Sequence, residues 1–292
     1  MTAPELDHDP VLVSSFDSTK IAVRAMGLEE GPPVLVVNAV GANLAVWRRA
    51  LVDIARTRPI VTWDHRGLHS SGPPESDRLD ARAHAEDALA ALDHLGHDEF
   101  AIVSWSNGSR IALEIAHRSP DRCRSLVLVN GGHGHALNRA LRLEPASLLP
   151  IVASVAKYFA GPVGGALRRL VARPELAGLI RQSGMVGPTA DTAALIELLR
   201  GIAECDQQVL LHTFQEVVGD SALELLSEIT VPSLLIAGDR DQFVSRGLVE
   251  ETARGLGGAP VIVYEGATHY LPIEFPTRLS DDLRDFLDQT RG

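Results

Sequence analysis

Apolar positions along the chain fall into two alternating patterns. Short continuous apolar runs, Val34-Leu35-Val36-Val37, Ile60-Val61-Thr62-Trp63, Phe100-Ala101-Ile102-Val103, Ser125-Leu126-Val127-Leu128-Val129, Ser233-Leu234-Leu235-Ile236-Ala237 and Val261-Ile262-Val263-Tyr264, are those of strands covered on both faces. Between them lie stretches of helical period, from roughly Leu44 to Arg56, Ala81 to Leu95, Gly108 to Arg118, Arg246 to Leu256 and Arg278 to Thr290. Regular strand and helix alternation predicts an α/β fold with a mostly parallel, doubly wound sheet. Ahead of it, Val11 to Phe16 and Ile21 to Ala25 flank the turn residues Asp17-Ser18-Thr19 and predict an antiparallel hairpin at one sheet edge.

The alternation stops at Asn130-Gly131-Gly132 and resumes at Ser233. From His133 to Glu228 the residues are helix formers, broken at Pro145, Pro150, Gly161-Pro162, Pro174 and Gly187-Pro188, with no strand pattern. This predicts a core domain of residues 1–132 and 229–292 with a helical insertion at 133–228. The insertion's apolar positions run from Leu148 and Leu149 through Tyr158, Phe159, Leu176, Leu179, Ile180, Leu195, Leu198 and Leu199 to Phe214. Most are expected to pack it on the core, leaving some to face a cleft.

Candidate chemistry centres on Ser104-Trp105-Ser106-Asn107-Gly108, between an apolar run and a helical one. A serine with a small residue two positions away on each side fits a sharp strand-to-helix turn, a nucleophile elbow that lifts the Ser106 hydroxyl above the sheet. The amide of Asn107 then lies at a helix N-terminus, where it can donate to a developing oxyanion. His269 follows the last strand, and ligands of parallel sheets gather at strand C-terminal ends, so it is placed to meet Ser106 as general base and acid. Gly238-Asp239-Arg240-Asp241, after the strand before, supplies an acid to orient the imidazole: Asp241 is assigned, with Asp239 as the alternative.

These residues resemble the α/β-hydrolase superfamily, whose chain order of serine, acid and histidine is matched by Ser106, Asp241 and His269. The resemblance runs from about Val11 to the C-terminus and implies that the insertion is a helical cap. It is carried further by the acid loop around Asp241 and by Thr268-His269-Tyr270-Leu271-Pro272-Ile273-Glu274, similar to the family's histidine loop. Asp64-His65-Arg66-Gly67 is similar to a structural turn of the family. Where the family's oxyanion loop commonly begins His-Gly, this chain has Asn38-Ala39, which by position makes Val40 the second amide donor. Asn38 is then free to bind substrate or to organise its loop. The resemblance implies an acyl-enzyme serine hydrolase acting on a carboxylic ester or lactone, with no cofactor. Thioesterases, carbon–carbon bond hydrolases, cofactor-free peroxidases, lyases and ligand-binding members share the fold and stay open as alternatives.

Composition narrows the partners. The 292 residues carry 27 basic and 38 acidic side chains, a formal charge of −11, without a long basic run. Nucleic acid and anionic membrane are therefore not expected partners. The N-terminus has neither a basic nor an apolar leader pattern and no apolar stretch reaches spanning length, which predicts a cytoplasmic protein. Cys123 and Cys205 form no spaced pair, and His65 with His69, like His133 with His135, lacks the partners of a metal site. Gly219-Asp220-Ser221-Ala222-Leu223 resembles another hydrolase signature but falls inside a helical stretch, where it is discounted. A cap poor in charge and aromatics suits a small to medium apolar acyl group, with Trp105 and Trp47 as floor and His133 at the entrance. The sequence leaves a homodimer open.

Overall fold

The computed structural model describes residues 9–28, 30–134, 178 and 180–290. The eight strands are β1 (Val11–Ser14), β2 (Lys20–Gly27), β3 (Val34–Val37), β4 (Pro59–Trp63), β5 (Phe100–Trp105), β6 (Cys123–Val129), β7 (Ser233–Gly238) and β8 (Val261–Tyr264). They form one sheet in the order β1-β2-β4-β3-β5-β6-β7-β8, in which β2 runs antiparallel to both its neighbours, β1 and β4, and the remaining neighbours are parallel. The central strands are mostly apolar and buried because both faces are covered. In β3, Val34 and Val36 point to one face while Leu35 and Val37 point to the other, the period of two that a strand imposes. Edge strand β1 keeps only Val13 buried, as the hairpin pattern predicts.

Helices α2 (Ala81–His94), α3 (Gly108–Arg118) and α6 (Arg246–Gly255) cover the face of Leu35, Ile102, Leu126 and Leu128. On the other face, Val36, Val103 and Val127 meet Trp47, Leu51 and the apolar stripe Leu279, Leu283 and Leu287 of α8 (Pro276–Gln289), which follows the single turn α7 (Leu271–Glu274). Helix starts follow their caps. Asp80 accepts from the amide of Ala83 ahead of α2, Ser245 from Leu248 ahead of α6, and proline opens α8 where no amide donor is needed.

The stretch expected as one helix from Leu44 to Arg56 departs from its pattern. It divides into a 3₁₀ turn at Leu44–Val46, the single turn α1 (Arg48–Leu51) and a second 3₁₀ turn at Ile54–Arg56. Val46, Trp47 and Val52 are poor helix formers, and Leu44, Ala45, Val46, Trp47, Ala50, Leu51, Ile54 and Ala55 are all buried. A segment held from nearly every side follows its packing rather than a continuous helical ladder.

Between β6 and β7 the described residues give α4 (Thr192–Glu204), α5 (Gln207–Gly219) and a 3₁₀ turn at Leu223–Glu228. Asp191 and Asp206 cap the two helices with two amide hydrogen bonds each. Helix α4 packs on the Leu44–Val46 turn and α5 packs on α3. Gly134 pairs antiparallel with Ser221 in an isolated bridge, a strand-like contact at the base of a stretch whose residues are nearly all helix formers. The apolar positions from Leu148 to Leu176, together with Leu179 and His135, lie outside the described residues. Gly219 closes α5, and Asp220 beyond it binds Arg110 Nη2 on α3 at 2.5 Å, a structural use of the discounted motif. Among the described residues no helix is long and apolar enough to cross a membrane.

Candidate active site

Ser106 occupies the turn between β5 and α3 with φ +58°, a left-handed conformation rarely adopted by residues other than glycine. Its amide donates to Val129 O at 3.0 Å, so the turn is tied to the end of the neighbouring strand. Gly108 lets α3 approach β3: a Cβ there would collide with the carbonyl oxygen of Asn38 and stand 2.8 Å from that of Val37. Ser104, where a first glycine is usual, is fully buried, its hydroxyl within 3.1 Å of Ser109 Oγ and 3.2 Å of Val127 O. The small-residue requirement is therefore met by a side chain that finds partners inside the sheet.

Three loops bring Ser106, His269 and Asp241 together. Ser106 Oγ lies 2.7 Å from His269 Nε2, and His269 Nδ1 lies 2.8 Å from Asp241 Oδ2. A carboxylate only accepts, so Nδ1 carries the proton it donates to Asp241, and in a neutral ring Nε2 accepts from the serine hydroxyl. Asp241 Oδ1 receives the amides of Phe243 and Val244 at 2.8 and 2.9 Å, which fixes the carboxylate. Asp239 serves elsewhere: its Oδ1 accepts from the Gly266 amide at 2.7 Å. Of the two acids left open by the sequence, Asp241 is the one that reaches the imidazole.

The loop carrying His269 is held from several sides. Buried Glu274 accepts from the amide of Thr268 at 2.7 Å, the Thr268 hydroxyl at 2.5 Å and the amide of Gly187 at 2.7 Å. Asn130 at the end of β6 donates to Thr268 O and accepts from the Gly238 amide, both at 2.8 Å, bracing the β6, β7 and histidine turns against one another. Trp105 Nε1 donates to His269 O at 2.9 Å. Phe243 packs on the imidazole with ring centroids 5.0 Å apart. The ring's position is thus set by contacts on its backbone and its face as well as on both nitrogens.

Above Ser106 opens a cavity of about 250 Å³ whose lining includes Ala39, Val40, Trp105, Ser106, Asn107 and His269 from the sheet side. Leu198 and Ile202 of α4, with Phe214, Val217 and Val218 of α5, line it from the segment between β6 and β7. Phe243, Val244, Tyr270 and Arg110 also line it. These four were not singled out as cavity residues from the sequence, although each lies within four positions of Ser106, Asp241 or His269. Proximity to those residues was the available signal. Burial, then the charges of Asp241 and Glu274, raise the Tyr270 phenol above its ordinary value, so it keeps its proton.

Trp105 lines the cavity, whereas Trp47, Asn38 and His133, also expected at it, do not. Trp47 is fully buried in the core beneath α8 and does not line the cavity. Asn38, 3% exposed, turns its amide nitrogen to Thr62 Oγ1 at 3.2 Å, which organises its loop and takes it away from a bound molecule. His133, 1% exposed, sits between Ser221 Oγ at 3.2 Å and Glu251 Oε2 at 3.3 Å, so the flanking glycines 132 and 134 reach the cavity while the imidazole does not. Of the two amides assigned to an oxyanion, that of Asn107 heads α3 at the cavity wall. The Val40 amide also borders the cavity but donates to Asn107 Oδ1 at 2.8 Å.

Comparison with known proteins bears on the fold and the family. Over 291 residues the chain is 22% identical to a 2-(acetamidomethylene)succinate hydrolase of Mesorhizobium japonicum, covering 98% of this chain and 99% of that one. It is 24% identical over 259 residues to a protein of Azorhizobium caulinodans named a carbamate hydrolase, covering 88% of this chain and 91% of the other. Among solved structures, the enol-lactonase of Burkholderia xenovorans superposes with a TM-score of 0.77 at 18% identity, covering 95% of this chain and all of that one. The family model described as alpha/beta hydrolase fold matches residues 32–276, most of the chain, and this protein belongs to that family.

Proposed function

We propose that the protein is a serine hydrolase that cleaves a carboxylic ester or lactone bearing a small to medium apolar acyl group. The observation that carries this reading is the continuous hydrogen-bonded chain from Ser106 Oγ through both nitrogens of His269 to Asp241, opening into one cavity. Ser106 Oγ attacks the carbonyl carbon and passes its proton to His269 Nε2, while the carbonyl oxygen takes the negative charge and is held by the Asn107 amide. The ester C–O bond then breaks, and the leaving oxygen receives the proton from Nε2. In a lactone that oxygen stays attached to the acyl group. Water repeats the sequence on the acyl-enzyme and frees the acid.

The aliphatic and aromatic lining, Ala39, Leu198, Ile202, Phe214 and Val217, selects an apolar acyl chain, and a volume of about 250 Å³ limits its size. We assign the role of a cap to residues 133–228, whose helices α4 and α5 supply one wall. The test is hydrolysis of p-nitrophenyl esters of increasing acyl length, and of several lactones, by the native protein and by Ser106→Ala. Turnover and fluorophosphonate labelling that both vanish in the variant are expected. Turnover that survives Ser106→Ala refutes the reading.

A further inference from the structure

The Val40 amide is the donor that chain position assigns to an oxyanion, yet its single proton is already given to Asn107 Oδ1 at 2.8 Å. The identity of the acceptor is settled by chemistry. A carboxamide facing a backbone N–H must present oxygen, since its NH₂ group has no lone pair to offer. Asn107 and Val40 both line the cavity, so this contact lies where a substrate carbonyl would arrive. We propose that Asn107 is a positioning residue whose carboxamide oxygen occupies the second oxyanion donor in the resting enzyme and yields it to the charged transition state but not to the neutral substrate. The proposal rests on the reading of Ser106 as nucleophile.

The physical argument is a ranking of acceptors. An ester carbonyl oxygen is a weaker acceptor than a carboxamide oxygen, so a bound ester does not displace Oδ1 from the Val40 N–H. The alkoxide of the tetrahedral intermediate is anionic, and charge-assisted hydrogen bonds are roughly twice as strong as neutral ones. It therefore accepts the Val40 N–H hydrogen bond in place of Oδ1, and the carboxamide rotates away. The Val40 donor then contributes to the transition state without strengthening the ground state, the kind of interaction that raises kcat rather than merely lowering KM. Until that moment the N–H is not left unsatisfied at the half-dry cavity wall.

Asn107→Ala removes the internal acceptor and keeps both backbone amides. The free Val40 N–H then binds the ester carbonyl in the ground state as well, so KM and kcat are expected to fall together, each by roughly 3- to 10-fold, leaving kcat/KM within about threefold of native. Binding of an alkylboronic acid, which forms a tetrahedral anion on Ser106 Oγ, is expected to change by less than about threefold for the same reason. Asn107→Asp places a stronger, charged acceptor on the Val40 N–H beside the developing alkoxide. It is expected to lower kcat/KM and boronate affinity by about 100-fold or more. A loss of kcat in Asn107→Ala with KM unchanged would show a rigid strut and overturn the proposal, as would native values of both constants. Absence of Ser106-dependent turnover in the native protein overturns the underlying reading too, which separates the two failures.

Discussion

Two groups of buried histidines occupy the same core with opposite treatment of their ring nitrogens. His269 is 8% exposed, borders the cavity and has a partner on each nitrogen, Ser106 and Asp241. His65 and His84 are both buried and stand against each other with ring centroids 4.7 Å apart, His65 also packing on Trp63. His65 Nε2 and both nitrogens of His84 lack a well-formed hydrogen bond; the Leu79 backbone makes a weak contact with His84, and the Asp87 carboxylate stays 3.8 Å from its Nδ1. Burial pushes His65 down to about 4, with His69 adding to the effect and Asp64 opposing it. Burial also holds His84 well below its ordinary value, helped by His65 and by Arg66, which is itself locked onto Asp87 at 2.6 Å and Asp17 at 2.8 Å. A proton shuttle needs a partner for each protonation state. Burial keeps the His65 and His84 pair neutral.

The sharpest test of that contrast is activity. Under the proposed reading, Ser106→Ala, His269→Gln and Asp241→Asn each lower kcat by roughly 10⁴-fold or more, because the serine, base and orienting acid act as one unit. Their urea midpoints should stay near native. His84→Leu should do the reverse, leaving steady-state kcat unchanged. A His84→Leu enzyme with kcat reduced as far as His269→Gln would erase the distinction between the two groups.

Stability against pH comes next in size. An unfolded histidine titrates near 6.5, whereas His65 in the fold is lowered to about 4, so between those values the unfolded chain binds more protons. Stability therefore rises with pH across this window and is flat above it for this group. Descending from pH 7 to pH 4, His65 alone should cost on the order of 3 kcal/mol, with His84 adding in the same direction. Urea denaturation at pH 7 and pH 5 measures the slope, and His65→Leu should flatten it. An unchanged slope in that variant would show that the imidazole reaches solvent as it protonates.

The larger part of the fold was legible because its signals are periodic. Strands covered on both faces and amphipathic helices repeat their pattern over many residues, and β3 to β8 fall within two residues of the expected runs. Ser106, Asp241 and His269 were legible because each follows its own strand closely, so topology alone gathers them. Asn38, Trp47 and His133 were misplaced for a common reason. Chain position put them near the cavity, but only packing decides which way a side chain turns, and Thr62, the α8 stripe and Ser221 with Glu251 turned them away. The segment Leu44 to Arg56 has a helical period in the sequence, but tertiary packing of its many buried side chains overrides it and breaks the helix into short turns.

Support around the imidazole predicts a smaller effect. Trp105→Phe keeps an aromatic floor but removes the Nε1–H bond to His269 O. A hydrogen bond of this kind contributes about 1 kcal/mol, so kcat should fall roughly fivefold, with the Ser106 to His269 geometry loosened rather than lost. A loss as large as that of His269→Gln would mean that Trp105 touches the substrate directly.

The smallest effect belongs to the acid that was passed over. Asp239 and Asp241 are two residues apart in one loop, and the difference between them is only what their carboxylates receive. Asp241 takes the imidazole N–H and two backbone amides, while exposed Asp239 takes the single amide of Gly266. An asparagine at 239 still offers an oxygen to that amide, so Asp239→Asn should keep kcat within about twofold and stability within about 0.5 kcal/mol of native. If it instead lost activity on the scale of Asp241→Asn, the loop would have to exchange its two acids during turnover. The hydrogen bond from Gly266 resists that exchange, because freeing Asp239 strips the β8 turn of the acceptor its amide uses.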